Sequence, residues 1–191
     1  MNNGNENWET DTASLKESAT DASDELSKYR HMMGGAVPKN LTEYLIENGF
    51  FTAPASTKYH GNYEGGLFDH SLEVTNTLVQ LTKSNNLKWK HPRSPYIIGM
   101  FHDLCKIDNY IKDGDDWTYN TAADTRHGEK SVDLLSRFIT LTTEEELCIR
   151  WHMGAFDDKD NWKHYTAAVR YYQNVLWTHQ ADMIASQVHG I

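Results

Sequence analysis

Histidines are the residues of this sequence that point to chemistry, because ten of them occur in a chain of 191 residues. Leu67 lies three residues before His70, and Val74 lies four residues after it. On a helix, this spacing places the imidazole on the apolar stripe that faces the core. A lone inward histidine is also compatible with an ordinary core residue, so other inward polar groups must decide its role.

Two aspartates occur in equally apolar surroundings. The pair His102-Asp103 interrupts the apolar segment YIIGMFHDLCKI, and Asp182 shares a helical stripe with Val175 and Ala185. A buried carboxylate is costly unless a cation or hydrogen-bond donors compensate its charge. Imidazole nitrogen and carboxylate oxygen together suit Mn, Fe, Zn or Co. The pattern therefore predicts a buried divalent-metal site formed by side chains from three helices; the alternative is that each acid faces solvent.

Two further histidines lie near the ends of predicted helices. His127 directly precedes one helix, and His152 lies near the end of a helix that begins at Thr142. Taken alone, each is compatible with an ordinary core or surface residue. Their positions along the chain, between the histidine-aspartate pair and Asp182, connect them to the other candidate ligands.

This ordered series resembles the metal-ligand series of the HD superfamily of metal-dependent phosphohydrolases. The strings GGLFDHSLEV, FHDLCKID and WTHQADMIAS carry the resemblance, which covers roughly residues 40–188. The resemblance implies six metal ligands, namely His70, His102, Asp103, His127, His152 and Asp182. In binuclear members the aspartate of the HD pair bridges the ions, and the two extra histidines hold the second ion. The chain lacks the GYP motif of the cyclic-dinucleotide phosphodiesterases in this superfamily.

The function implied by the resemblance is hydrolysis of a phosphomonoester, phosphodiester or phosphoanhydride by a metal-activated water. The implied cofactor is one or two divalent ions of Mn, Fe, Co, Ni or Zn, and the implied substrate is a nucleotide or a related small phosphoester. Two other activities stay open: a di-iron oxygenase of the same superfamily, and a 3′-5′ exonuclease on single-stranded nucleic acid. A third alternative is an HD domain that serves only as a binding module.

Three further residues are candidates for contact with the substrate. Lys106 lies one helical turn after the HD pair and on the same side, where it can stabilise phosphate charge. His60, in KYHGNYEGG, can bind the substrate or donate a proton to the leaving group, and Arg126 can form a bidentate phosphate contact. Asp103, Lys106 and His60 are the predicted catalytic residues; for the last two and Arg126 the alternative is a structural or surface role.

The elements that must position these residues are predicted to be helical. Thr142 and Glu145 form a capping-box pattern, and Ser94-Pro95 marks the start of a helix that runs to about residue 107. A periodic pattern over residues 165–188 predicts one long final helix. With the resemblance, these signals predict an all-α HD-domain helical bundle.

One segment differs from the helical pattern. Residues 110–119 contain two short β-prone runs around Asp113-Gly114, which predicts a small β-hairpin inserted after the HD pair. Its aromatic residues can pack against the body or stack on a substrate base: Tyr110, Trp117 and Tyr119.

The chain is predicted to consist of a polar leader, residues 1–36, followed by the catalytic domain, residues 37–191. The leader contains one weak helical pattern, so it is expected to be partly disordered or a peripheral helix. Because the leader has no apolar signal region and the chain has two cysteines, a cytoplasmic protein with reduced thiols is expected.

The charge balance limits the partners. With 27 acidic against 18 basic side chains, the net charge is -9, which argues against a passive nucleic-acid binder. Two metal ions held by two carboxylates would nevertheless leave a positive site that attracts phosphate. The apolar stretches are too short to span a bilayer. The expected partner is a small phosphorylated molecule, and the sequence allows a homo-oligomer.

Overall fold

The computed structural model describes residues 23–114, 116–124 and 126–191. Within these residues the fold is an all-α bundle with one small antiparallel hairpin, which confirms the predicted fold class. The helices are α1 (23–33), α2 (Lys39–Glu47), α3 (Gly66–Ser84), α4 (Ser94–Phe101), α5 (His127–Leu135), α6 (Thr143–Arg150), α7 (Trp162–Tyr171) and α8 (Asn174–Met183).

Shorter segments complete the fold. The hairpin consists of β1 (Tyr110–Asp113) and β2 (Asp116–Tyr119), with Tyr110 paired to Tyr119. The 3₁₀ segments span Leu104–Asp108, Gly154–Phe156 and Lys159–Asn161, and α8 continues as a π-helical segment over Ile184–His189.

Helix α3 is the centre of the bundle, because it packs against both α4 and α8. Its apolar stripe includes Leu67, Val74 and Leu78, which are fully buried together with Ile97 and Ile98 of α4. The stripe that identified His70 as inward-facing is therefore the stripe that forms the core.

The predicted leader is represented by α1, whose Tyr29 and Met33 lie in the core. The Tyr29 ring packs edge-on against Phe51, with the ring centroids 5.5 Å apart. The part of the weak leader pattern before residue 23 lies outside the described residues.

One predicted helix cap is confirmed, whereas the extents of two predicted helices were wrong. Thr142 and Glu145 form the predicted capping box at the start of α6. The helix that begins at Ser94 ends at Phe101 instead of continuing to residue 107, and the final pattern is interrupted at Tyr172, whose backbone is extended. Periodicity alone does not locate such interruptions, because the apolar stripe continues across them.

The chain turns at the HD pair and continues as the 3₁₀ segment Leu104–Asp108. The backbone amide of Cys105 donates to Ser131 Oγ at 3.0 Å, and the Lys130 ammonium contacts Asp108. These contacts from α5 hold the turn in place. No helix among the described residues is long and apolar enough to cross a bilayer.

Candidate metal centre

The structure brings the six predicted ligands together from five parts of the fold. His70 lies on α3, the HD pair follows α4, His127 begins α5, His152 follows α6, and Asp182 lies on α8. The approaches between them are short: 3.2 Å from His70 Nε2 to His102 Nε2, 3.3 Å from His70 Nε2 to Asp182 Oδ1, 2.7 Å from His127 Nε2 to Asp103 Oδ1, and 3.3 Å from His152 Nε2 to Asp103 Oδ1.

Two glycines permit this convergence. A side chain at Gly99 of α4 would place its Cβ 2.5 Å from Thr75 Cα of α3, and one at Gly128 of α5 would overlap the Arg150 carbonyl of α6. These close backbone approaches let the helices that carry ligands lie against each other. Only glycine fits at either position without movement of its neighbours.

The ring orientation of three ligand histidines is fixed by the main chain. A carbonyl oxygen can only accept a hydrogen bond, so a bonded Nδ1 must carry the proton and leave Nε2 with a free lone pair. The Nδ1 atoms donate to main-chain oxygens, which likewise only accept: His70 to Ile191 at 2.8 Å, His102 to Gly99 at 2.8 Å and His152 to Ile149 at 2.7 Å.

The centre of the cluster is therefore composed of hydrogen-bond acceptors that face one another. Nε2 of His152 is buried and has no hydrogen-bond partner among the described residues, and Oδ1 of Asp103 is faced by the Nε2 atoms of His127 and His152. Protonating the rings to supply donors would crowd positive charges, because neighbouring ring centroids such as those of His102 and His152 are 4.8 Å apart. Cations satisfy this arrangement directly, so the residues fit a divalent metal.

Three overlapping groups have the composition of a metal site. Within each group, one ligand atom per residue lies within 4.8 Å of the others: His70–His102–Asp103, His102–His152–Asp182 and Asp103–His127–His152. These buried groups can hold metal ions. The first and third groups share Asp103, the residue for which the resemblance implies a bridging position.

The charges of the carboxylates are stabilised by nearby cations. Burial raises the pKa of Asp103, but Lys106, His102 and His127 lower it further, so its pKa lies well below the usual range. The Lys106 Nζ atom lies 2.6 Å from Asp103 Oδ2. Burial lowers the pKa of Lys106, but Asp103 raises it more, so Lys106 remains a cation. For Asp182, burial raises the pKa, but the surrounding imidazoles of His70, His102 and His152 lower it more, so its pKa lies below the usual range.

Two residues that support the ligands were not assigned from the sequence. His127 differs from the other three histidines, because its Nδ1 lies 3.2 Å from the Cys105 sulfur and not near a carbonyl. Burial raises the pKa of Cys105 to about 12, so the sulfur is a neutral thiol. His179 approaches the carbonyl of His152 at 2.8 Å through Nδ1. His179 lies three residues before Asp182 in the sequence, whereas no sequence pattern indicates the contact between Cys105 and His127.

The cluster opens into a cleft of about 510 Å³, which we call the substrate cleft. Asp103, which is 2% exposed, lies at its floor. The described residues that line the cleft are Tyr59, His60, Asp103, Lys106, His127, Met153, Phe156, Asp182, Met183, Ser186 and Gln187.

The remaining candidate residues are placed differently. Lys106 and His60 line the substrate cleft, and the His60 ring centroid is 4.8 Å from that of His70. Burial, and then the neighbouring His70 imidazole and Lys106 ammonium, lower the pKa of His60 to about 4, so it is neutral at pH 7. Arg126 is not among the lining residues, and its guanidinium donates to Asp124 at 2.6 Å.

The hairpin aromatics do not line the substrate cleft. Tyr110 and Tyr119 pack against each other with centroids 6.2 Å apart, and Lys112 lies over the Trp117 ring at 5.7 Å. Within the described residues, the aromatic side chains of the cleft are instead Tyr59 and Phe156, apart from the histidines.

Comparison with known proteins finds a partial relative. The chain is 31% identical over 83 residues to dihydroneopterin 2′,3′-cyclic phosphate phosphodiesterase from Methanocaldococcus jannaschii. The match covers 41% of this chain and 33% of the relative, so the chain spans about a third of that protein's length. No family model matches the chain, and no solved structure matches it. A distant relative is therefore a phosphodiesterase, and this chain has buried histidine and aspartate groups that can bind metal.

Proposed function

We propose that this protein is an HD-type metal-dependent phosphohydrolase that cleaves a nucleotide or a related small phosphoester. The observation that carries the proposal is the convergence of four imidazoles and two carboxylates, with unsatisfied acceptor atoms, at the floor of the substrate cleft. The partial relative supports phosphoester hydrolysis, since it is named as a phosphodiesterase.

The first ion would be held by His70, His102, Asp103 and Asp182, and the second by Asp103, His127 and His152, as the resemblance implies; the close approaches among these residues support both sets. Divalent ions of Mn, Fe, Co, Ni or Zn bound there would supply Lewis acidity toward phosphate oxygens and would lower the pKa of water. The main-chain carbonyls that hold the rings keep Nε2 of three ligands unprotonated and directed into the cluster.

The chain's own residues contribute charge and hydrogen bonds at the reacting phosphate. Lys106 places an ammonium beside Asp103 at the floor, where it offsets the negative charge of a bound phosphate. His60 is neutral at pH 7 and its Nε2 is buried without a hydrogen-bond partner among the described residues. We therefore assign His60 to a hydrogen bond with the substrate or its leaving group.

Arg126 has no place in this proposal, because its guanidinium is engaged by two carboxylates, Asp124 at 2.6 Å and Asp133 at 3.3 Å.

The cyclic phosphodiester named for the relative is the first substrate class to test on this chain, followed by nucleoside monophosphates. The acidic chain and the narrow set of cationic groups in the cleft disfavour the exonuclease alternative.

The test is a hydrolysis screen with Mn, Fe, Co, Ni or Zn against nucleoside 2′,3′-cyclic phosphates, nucleoside monophosphates and cyclic dinucleotides. The Asp103→Asn variant is expected to lose at least 100-fold in kcat and to bind less metal, because Asp103 contacts both proposed ions. Phosphate or nucleotide release and metal content by elemental analysis are the measurements.

The matched control is Asp116→Asn in the exposed hairpin, which is expected to retain both activity and metal. Undiminished turnover by Asp103→Asn would contradict the proposal. Oxygen consumption by the iron-loaded protein, with no phosphoester cleaved by any metal form, would replace it with the di-iron oxygenase.

A further inference from the structure

The walls of the substrate cleft are apolar, although its floor is charged. Above the buried acids, the lining includes Met153 and Met183, which are partly buried, and Tyr59 and Phe156, which are 80% and 70% exposed. Tyr59 precedes α3, whereas Phe156 lies in a 3₁₀ segment after α6, so two distant parts of the chain each place an aromatic ring at one cleft. Exposed aromatic rings beside a polar site are typical of a surface that binds a flat ring.

Lys106 is the single lysine or arginine among the described residues that line the cleft. Its ammonium lies at the floor, so positive charge is concentrated where one phosphate would bind. Among the described residues, the walls offer no second lysine or arginine that could bind an additional phosphate.

An adjoining hollow does not supply the missing charge. It measures about 360 Å³ and shares His127, Met153 and Phe156 with the cleft. Its arginines are already paired, since Arg150 contacts Glu129 and Asp157 and Arg126 contacts Asp124. A polyphosphate chain or a nucleic-acid backbone therefore finds carboxylates there and no unpaired arginine among the described residues.

The π-helical segment that follows α8 adds a polar group to the cleft. Gln187 lines the cleft, and its amide nitrogen has one long hydrogen bond, 3.5 Å to Ser186 Oγ. The amide can therefore donate to and accept from the edge of a heteroaromatic ring. A cleft of about 510 Å³ is within the roughly 300–1,000 Å³ range of small-molecule sites.

We infer that the substrate cleft selects a small molecule with a single phosphate, or a single cyclic phosphodiester, attached to a planar heteroaromatic group that packs against Tyr59 and Phe156. This inference rests on the proposed phosphohydrolase function. It goes further, because it separates such substrates from sugar phosphates, from polyphosphates and from polymers.

The test compares phosphoesters with and without a heteroaromatic ring, and nucleotides with one or three phosphates. The pairs are adenosine 2′,3′-cyclic phosphate with glycerol 1,2-cyclic phosphate, AMP with ribose 5-phosphate, and AMP with ATP. We expect kcat/KM to be at least tenfold higher for the member of each pair that has one phosphate and a heteroaromatic ring.

The variants Phe156→Ala and Tyr59→Ala test the contact with that ring. Each is expected to raise KM for the substrate with the heteroaromatic ring about tenfold, with kcat nearly unchanged and the substrate without that ring unaffected.

Tyr171→Ala is the control, because Tyr171 is 83% exposed and does not line the cleft. Equal kcat/KM for ring-bearing and ring-free partners, or the same KM in all variants, would overturn the inference and leave the phosphohydrolase proposal standing. If no phosphoester is cleaved, the proposed function fails, and calorimetric binding of AMP and ribose 5-phosphate decides the inference separately. Equal affinities of these two ligands would then overturn it.

Discussion

Asp103 is the single residue on which the centre depends most. Ring nitrogens of His70 and His102 lie 3.6 and 3.5 Å from its Oδ2 atom, while those of His127 and His152 lie 2.7 and 3.3 Å from Oδ1. Its two oxygens therefore face different histidine pairs. A carboxylate in this environment could offer one oxygen to each of the two proposed ions, whereas a neutral histidine has one ring nitrogen available for a metal.

Cys105 supports one of these ligands, and its removal is a test at the residue scale. Cys105→Ala removes the partner of His127 Nδ1, so we expect metal affinity to fall about 10- to 100-fold. Cys105→Ser, which restores a hydrogen-bonding group, is expected to recover most of the loss. Affinity is measured by competition with a chromophoric chelator.

Cys148→Ala provides the control for this substitution, because Cys148 is also a fully buried thiol but lies outside the metal groups. It is expected to change the free energy of unfolding but not the metal affinity. Equal affinities of the wild type and Cys105→Ala would show that the thiol does not position His127.

At the residue scale, sequence reasoning identified those groups whose polarity conflicts with an apolar setting. His70, Asp103 and Asp182 interrupt inward stripes, and that conflict is visible without a structure. Cys105 gave no such conflict, because a buried thiol is an ordinary core residue. The pairing of Arg126 with acids was equally invisible, since it depends on the path of the loop before α5.

At the scale of elements, the contacts between helix backbones determine how closely the ligands approach. Gly128→Ala would force apart the start of α5 and the end of α6, where His127 and His152 are held. We expect a loss of about 1–3 kcal/mol in the free energy of unfolding, together with weaker metal binding. Urea denaturation in the presence of a chelator measures the first effect.

Gly35→Ala is the control, since a Cβ at that position meets no atom within 4 Å. It is expected to change the free energy of unfolding by no more than about 0.5 kcal/mol. If both variants were equally stable and bound metal equally well, the close helix contact would not be needed for the centre.

The elements themselves were predicted unevenly. The hairpin and the Thr142 cap were predictable because each depends on residues next to one another in sequence. The end of α4 at Phe101 was not, because contacts from Ser131 and Lys130 of another helix hold the turn that follows. The substrate cleft was not predictable for the same reason. Its aromatic walls come from segments that are distant in sequence and have no strong local pattern.

At the scale of the whole molecule, we expect binding of the proposed metal ions to increase stability. The proposed ligand atoms come from α3, α5 and α8 and from the turns that follow α4 and α6, so a bound ion would connect five parts of the fold. A metal that binds only the folded state at 100 times its Kd adds about 2.7 kcal/mol of stability. For a chain of this size, we expect a rise in Tm of roughly 5–10 °C.

Thermal unfolding with Mn²⁺ or Zn²⁺, compared with a chelator, tests this coupling. Asp103→Asn is the reference and is expected to show a smaller shift than the wild type. A Tm that does not respond to any of the five metals would contradict a metal centre in this protein.

Three expectations from the sequence stay predictions: the domain division at residue 36, the cytoplasmic location and the homo-oligomer.

The distribution of ligands along the chain has a consequence for the order of folding. His70 and Asp182 are separated by more than half of the sequence, yet their side chains are 3.3 Å apart. Such a contact closes a long loop and forms late compared with local helices. During synthesis, the first five proposed ligands can meet before α8 exists, but the complete set requires that helix to dock. If the proposed metal centre is correct, full metal uptake reports that α8 has docked, and a nascent chain that lacks α8 would bind the first ion only weakly.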